Sequence, residues 1–248
     1  MKASLLTAGI VMGLLVLPAM GSVVPNDPWA YDPVTAPTDE YNLYELYNMI
    51  YGTGYTSNLE LDVMRVVDVE TWLLDISQLP VGVTAEARYA WLEHDFGWYD
   101  ATTGVETEIF GDMNMSSGFL TGMTATINPG AGNEFGFYLG VTDPVNQVEN
   151  TWYSESDLNW NWAQDPTSGE WYQNWGDDHL VVYSTADANT FLLAWEDMVL
   201  GHPQGHDDYN DLLIEIRIPE NIIPEPTSMV LLGLGIAGML VRKLRTLS

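Results

Sequence analysis

An acidic loop in the last third of the chain holds the residues best suited to bind a cation. Residues 196–211 read EDMVLGHPQGHDDYND. The candidate ligands are five carboxylates and one amide: Glu196, Asp197, Asp207, Asp208, Asn210 and Asp211. Carboxyl groups this close together either keep their protons or hold a cation, because like charges repel. Calcium takes about six to eight oxygen ligands from such loops, so the sequence predicts a Ca²⁺ site.

Two other interpretations of this loop remain open. The Asp and Asn side chains can bond their own backbone in turns without any metal, and the full EF-hand spacing is missing. His202 and His206 could instead hold a transition metal. Pro203 and Gly205 lie between them, however, and argue against a helix that would bring both rings onto one face.

A tryptophan-rich stretch is the second candidate site. Residues 152–175 read WYSESDLNWNWAQDPTSGEWYQNW, and the candidate carbohydrate-binding residues are Trp160, Trp162, Trp171 and Trp175. Indole rings stack on the apolar face of a sugar while amides and carboxylates meet its hydroxyls. The alternative is that these rings only pack the core. A glycoside hydrolase or lyase would need two carboxylates beside a groove, for which Glu155, Asp157 and Glu170 are candidates. In so acidic a chain that signal is weak, and we predict no catalytic residues.

The elements that must position these groups are mainly β. Val83–Glu93 alternates apolar and polar residues, which is typical of a half-buried strand. Similar short segments follow, separated by Gly and Pro: Leu61–Val69, Val105–Phe110, Gly118–Ile127, Glu134–Val141, His179–Ser184, Thr190–Trp195 and Leu212–Ile218. The pattern predicts an antiparallel, jelly-roll-like β-sandwich over residues 59–220. Residues 22–58 are predicted to form an extended arm and one short helix, Asp39–Tyr51, following Thr38 as a possible N-cap.

Composition narrows the class of protein. The chain is 46% hydrophobic and 12% aromatic, which is enough to build a core, and it contains no cysteine. Residues 22–223 carry three of the seven basic residues and 34 of the 35 acidic ones. A net charge of about −31 repels nucleic acid and anionic lipid, so we expect neither as a partner. It favours cations.

The two ends of the sequence are predicted to direct sorting rather than to form part of the folded domain. Residues 1–21 contain Lys2, an apolar segment and small residues at Ala19 and Gly21, which predicts a cleaved signal peptide. Residues 224–248 contain Pro224, Glu225 and Pro226, then an apolar helix over Met229–Val241, then a basic cluster of Arg242, Lys243 and Arg245. Thirteen helical residues span only about 20 Å, which is short for a permanent membrane span.

This order of tripeptide, short apolar helix and basic end resembles the PEP-CTERM sorting signal of Gram-negative bacteria. The resemblance implies recognition by an exosortase, a membrane protease that cleaves near the tripeptide, and export by an organism that often makes exopolysaccharide. It implies transient residence in the inner membrane, then the cell surface or extracellular matrix. The alternative is a tail that stays uncleaved and anchors a periplasmic module.

The body carries a second resemblance. Glu134–Gly140, Asp178-His179, Phe191–Asp197 and Asp208–Asp211 follow an order similar to that of an exported bacterial domain of unknown function. That family ends in a Trp-Glu-Asp…Asp-Tyr-Asn-Asp signature and implies a β-rich exported module. We therefore predict a non-catalytic surface or matrix protein, calcium-stabilised and binding exopolysaccharide. The alternatives are the polysaccharide-active enzyme and the anchored module.

Overall fold

The computed structural model describes most of the predicted domain and the helix before it. The described residues are 40–66, 69–73, 80–114, 117–130, 133–160, 162–164, 169, 171–173, 176–198, 200 and 207–218. The predicted signal peptide, the apolar C-terminal helix and its basic cluster lie outside them. No helix within the described ranges is both long and apolar enough to cross a bilayer.

Fourteen short strands and two α-helices make up this part of the chain. The helices are α1 (Leu43–Tyr51) and α2 (Asn58–Leu61). The strands are β1 (Arg65–Val66), β2 (Trp72–Leu73), β3 (Val81–Arg88), β4 (Glu93–Asp100), β5 (Glu106–Met113), β6 (Gly118–Phe119), β7 (Thr124–Ile127), β8 (Glu134–Thr142), β9 (Glu149–Tyr153), β10 (Trp162–Gln164), β11 (Trp171–Gln173), β12 (Leu180–Ser184), β13 (Thr190–Trp195) and β14 (Leu212–Arg217).

The strands form two antiparallel sheets and a separate hairpin. The first sheet has the order β1-β12-β13-β14-β3, with β6 and β7 both paired to β3. The second has the order β2-β8-β4-β5, with β9 also paired to β8. β10 pairs with β11 alone. The prediction of a mainly β, antiparallel domain is therefore confirmed, while the jelly-roll connectivity stays a prediction.

The main core lies between the inner faces of the two sheets. In β3, Val81, Val83 and Ala85 are buried at alternate positions, as the period of a strand requires. They belong to one apolar cluster with residues of the second sheet. Phe96 of β4 meets Trp195 of β13 edge to face, with ring centroids 6.1 Å apart. The core thus reaches the end of β13, where the acidic loop begins.

Helix α1 covers the outer face of the first sheet and starts later than predicted. Leu43, Leu46 and Tyr47 are buried in a second apolar cluster that includes residues of β12, β13 and β14. The helix begins at N-cap Asn42, whose capping box with Glu45 satisfies the first backbone N–H groups. The predicted start at Asp39 and cap at Thr38 were wrong, because the capping box fixes both the cap and the start four residues further on. The predicted end at Tyr51 is confirmed.

Several strand predictions need correction. Leu61–Val69 was predicted as one strand, but Leu61 ends α2 and Asp62–Met64 form a 3₁₀ turn. Within the described part of this segment, Arg65–Val66 form strand β1. The strand predicted for Val83–Glu93 ends at Arg88, and the chain then turns into the other sheet. A second helix, α2, was not expected.

Candidate cation site

The acidic loop joins β13 to β14, and the pairing of these strands fixes where its ends lie. Trp195 pairs with Leu212 at the end of the ladder, so Glu196 and Asp211 are the next residues on each side. One side-chain oxygen from each of Glu196, Asp197 and Asp211 lies within 4.8 Å of the others. Leu212 also pairs with Arg88, which brings the end of β3 to the same place.

The carboxylates of this cluster are unusually well buried. Glu196 and Asp208 are each 2% exposed, and Asp197 is also buried. Asp207 and Asp211 are half-buried. Burying charged carboxylates costs several kcal/mol apiece unless protons, hydrogen bonds or cations compensate. This degree of burial separates the cluster from an ordinary acidic surface loop.

Backbone N–H groups of the loop point at two of the carboxylates. Glu196 Oε2 accepts from the N–H groups of Asp208 and Tyr209, at 3.1 and 3.4 Å. Asp211 Oδ2 accepts from the N–H of Asp197 at 2.8 Å. These bonds tie the two ends of the loop together and hold the carboxylates in a fixed arrangement.

The remaining electrostatics favour a proton or a cation at the cluster. Burial raises the pKa of Glu196 well above its ordinary value, and the charges of Asp197 and Asp208 raise it further. Burial likewise raises the pKa of Asp211, as do the charges of Asp197 and Glu196. A divalent cation relieves the same repulsion without protonation.

Two basic residues outside the loop contact or face the cluster. His94 of β4 is buried, and its Nε2 lies 2.8 Å from Asp197 Oδ2. Arg88 is buried at the end of β3, where its guanidinium donates to the Leu92 carbonyl. Burial lowers the pKa of Arg88, while the negative charges of Asp197, Asp211 and Glu93 oppose that change. The guanidinium of Arg88 offsets part of the negative charge of the cluster.

A stacked pair of rings supports the first residues of the loop. The rings of Trp152 and His179 are parallel within 4°, with centroids 3.9 Å apart. Trp152 Nε1 donates to the Asp197 carbonyl at 2.9 Å, and His179 Nδ1 lies 3.1 Å from the Glu196 carbonyl. Neither ring was predicted to belong to the site, although Asp178-His179 is part of the resemblance of the body to an exported domain.

The other end of the loop adopts a strained backbone. Asp207 and Tyr209 have φ values of 44° and 55°, in the left-handed region that bulky residues avoid. Such residues cost about 1–3 kcal/mol each and cluster at functional sites. Between Tyr209 and Asp211, Asn210 is fully buried and donates through Nδ2 to the Tyr41 carbonyl. Its Oδ1 has no hydrogen-bond partner among the described residues, which leaves one acceptor available for a cation.

The structure therefore brings most of the predicted ligands together. Glu196, Asp197 and Asp211 converge, and Asp208 is bound to Glu196 through its backbone N–H. The charge of Asp207 contributes to the raised pKa of Glu196. Every candidate ligand atom is a hard oxygen, which suits Ca²⁺ or Mg²⁺ rather than a soft metal. His202 and His206 lie outside the described residues.

The tryptophan candidates divide into two groups. Trp160 and Trp171 are exposed, at 55% and 61%. Trp171 begins β11, which pairs with β10, the strand that contains Trp162. Trp175 and the side chain of Trp162 lie outside the part of the chain that the structure describes. Two of the four indoles are thus accessible to a ligand.

Of the three carboxylates considered for hydrolysis, Glu155 and Asp157 lie in the part of the chain that the structure describes. Glu155 Oε1 accepts from the Tyr99 hydroxyl at 2.8 Å. Burial raises the pKa of Glu155, the Tyr99 hydrogen bond lowers it, and the charges of Glu70, Glu134 and Asp157 raise it. Glu170 lies outside the described residues, so no catalytic pair is assigned.

Comparison with known proteins identifies the tail. The family model of the PEP-CTERM protein-sorting motif matches residues 223–245, which include the tripeptide and the basic cluster. No curated protein matches the chain significantly. The resemblance of the body to an exported domain therefore stays a prediction. The predicted sorting signal is confirmed: the chain carries a PEP-CTERM motif and is an exported protein targeted to an exosortase.

Proposed function

We propose that the body of this exported protein is a non-catalytic, calcium-stabilised module of the cell surface or extracellular matrix. The observation that carries the proposal is the convergence of Glu196, Asp197 and Asp211 oxygens within 4.8 Å in a buried setting. Calcium would bind the carboxylates together with the Asn210 amide oxygen, joining the two ends of the β13–β14 loop. The site would thus close a strained loop where the core meets solvent.

Calcium should stabilise the folded state by mass action. A cation at about a hundredfold excess over its dissociation constant raises the free energy of unfolding by about 2.7 kcal/mol. We expect the melting temperature in millimolar Ca²⁺ to exceed that in EGTA. An equal melting temperature in both would contradict the proposal, and an equal response to Mg²⁺ would contradict the choice of calcium.

Substitutions distinguish a bound cation from a general charge effect. Asp211→Asn keeps an oxygen for the Asp197 N–H but removes one charge. We expect it to lose most of the calcium response while remaining at least as stable as the wild type in EGTA, because repulsion falls. Asp187→Asn is the matched control, since Asp187 lies exposed in the β12–β13 turn. A calcium response retained by Asp211→Asn would count against the site.

The route to the surface is part of the same proposal. The signal peptide directs export, the apolar tail holds the protein in the inner membrane, and an exosortase removes the tail near the tripeptide. The confirmed sorting motif supports this order of events. The uncleaved, membrane-anchored module is the competing outcome.

A second candidate function is binding of exopolysaccharide by Trp160 and Trp171. Their exposure favours it, because large aromatic side chains are more often buried. In affinity electrophoresis through gels containing neutral polysaccharides, the wild type should migrate more slowly than in plain gel. Trp160→Ala and Trp171→Ala should restore part of that mobility, and unchanged retardation in both would exclude these two indoles as the binding surface.

A further inference from the structure

A cleft lies at the same end of the domain as the acidic loop and is lined by four separate segments. Its volume is about 390 Å³, which lies in the range of small-ligand sites. The lining includes Glu40 before α1, Arg88 at the end of β3, and Trp91 and Glu93 around the β3–β4 turn. Asn114 and Ser117, from the β5–β6 connection, and Pro144, which follows β8, complete the lining.

Trp91 is an exposed aromatic residue in the lining of this cleft. It is 59% exposed, whereas the next residue, Leu92, is buried in the core. The turn therefore places Leu92 in the core and leaves the larger indole of Trp91 accessible to solvent. A single exposed apolar residue needs no explanation, but an indole in a concave site with convergent polar groups is the usual form of a ligand pocket.

The polar groups of the cleft select a neutral polyol. Glu93 offers carboxylate acceptors, and the exposed Asn114 offers both a donor and an acceptor. The two carboxylates, Glu40 and Glu93, repel an anionic ligand, and the buried Arg88 offsets part of their charge. Adjacent hydroxyl groups of a sugar need donors and acceptors together, and the apolar face of its ring stacks on an indole.

We propose that this cleft binds one neutral sugar unit of a glycan, stacked on Trp91 and hydrogen-bonded by Glu93 and Asn114. The ligand class rests on the glycan-binding function proposed for Trp160 and Trp171. The site is distinct, because no residue of the cleft belongs to the β10–β11 hairpin. Exposed indoles at two places would let one module contact separate units of a polymer.

The test is affinity electrophoresis of the full chain, at one fixed Ca²⁺ concentration, through gels containing dextran, a β-glucan, a galactomannan or alginate. We expect at least one neutral polysaccharide to retard the wild type and the acidic alginate not to. Truncation of a central aromatic anchor commonly weakens binding at least about tenfold. Trp91→Ala should show that loss, Asn114→Ala a smaller one, and Trp91→Phe should recover part of it.

Three results would overturn the inference, and they separate it from the glycan-binding function itself. Retardation that persists in Trp91→Ala but fails in Trp160→Ala or Trp171→Ala would move the site to the surface formed by Trp160 and the β10–β11 hairpin. Retardation by alginate alone would refute the selection of neutral sugars. Wild-type mobility unchanged by every neutral polysaccharide would refute both the cleft and the hairpin as glycan sites. Circular dichroism spectra matching the wild type are required of each variant, and Asn114→Ala, at an exposed position, provides a second test if Trp91→Ala unfolds.

Discussion

His179 shows how a single buried residue near the acidic loop couples stability to pH. It is fully buried against Trp152, and burial lowers its pKa to about 3. In the unfolded chain its pKa is the ordinary 6.5. Between these values the unfolded state binds a proton that the folded state excludes. The stability contributed by neutral His179 is therefore present above pH 6.5 and is lost as pH falls toward 3.

We predict that His179→Gln flattens the acid limb of the stability curve. Each pH unit inside the window is worth up to about 1.4 kcal/mol, so the wild type should lose about 1.5 kcal/mol more than the variant between pH 6.5 and pH 5. Urea unfolding at several pH values in EGTA measures this difference. Glutamine keeps a donor for the Glu196 carbonyl, so the slope is the readout rather than the absolute stability. Parallel curves for the two proteins would show that His179 is protonated equally in both states.

The strands that could be predicted were those whose sequences have a regular pattern of apolar and polar residues. Thr190–Trp195 and the start of the last strand at Leu212 were predicted correctly, because each is a short apolar segment bounded by turn or acidic residues. β4 was missed because its sequence, EHDFGWYD, has polar residues where a core strand should be apolar. His94 is tolerated there by its contact with Asp197, 103 residues away, which no local pattern reveals.

Part of the acidic site could also be predicted from the sequence. Its ligands lie on two segments joined by one loop, so sequence proximity alone gathered Glu196, Asp197 and Asp211. The groups that came from elsewhere were not predictable. Arg88 and His94 reach the cluster through the pairing of β3 with β14 and the packing of the second sheet. Likewise, the cleft beside Trp91 depends on four segments that only the fold brings together.

For the whole molecule, the distribution of charged residues agrees with the predicted roles of the two ends in sorting. The segment between the two predicted cleavage regions holds 34 of the 35 acidic residues, whereas four of the seven basic residues lie in the terminal segments. Basic residues beside an apolar segment favour the cytoplasmic side of a membrane. Removal of both ends would therefore leave a strongly acidic protein.

Processing at both ends gives the most direct test of this organisation. Mass spectrometry of the protein from its native host should find a mature form that begins near Ser22 and ends close to Pro224–Pro226. Replacing Pro224, Glu225 and Pro226 by alanine should leave Met229–Val241 attached and shift the protein to the membrane fraction, because the exosortase no longer recognises the tail. Pro219→Ala, outside the matched residues 223–245, should be processed normally. A wild-type protein that retains Met229–Val241 would instead establish the anchored module, with the acidic body tethered by a short apolar helix.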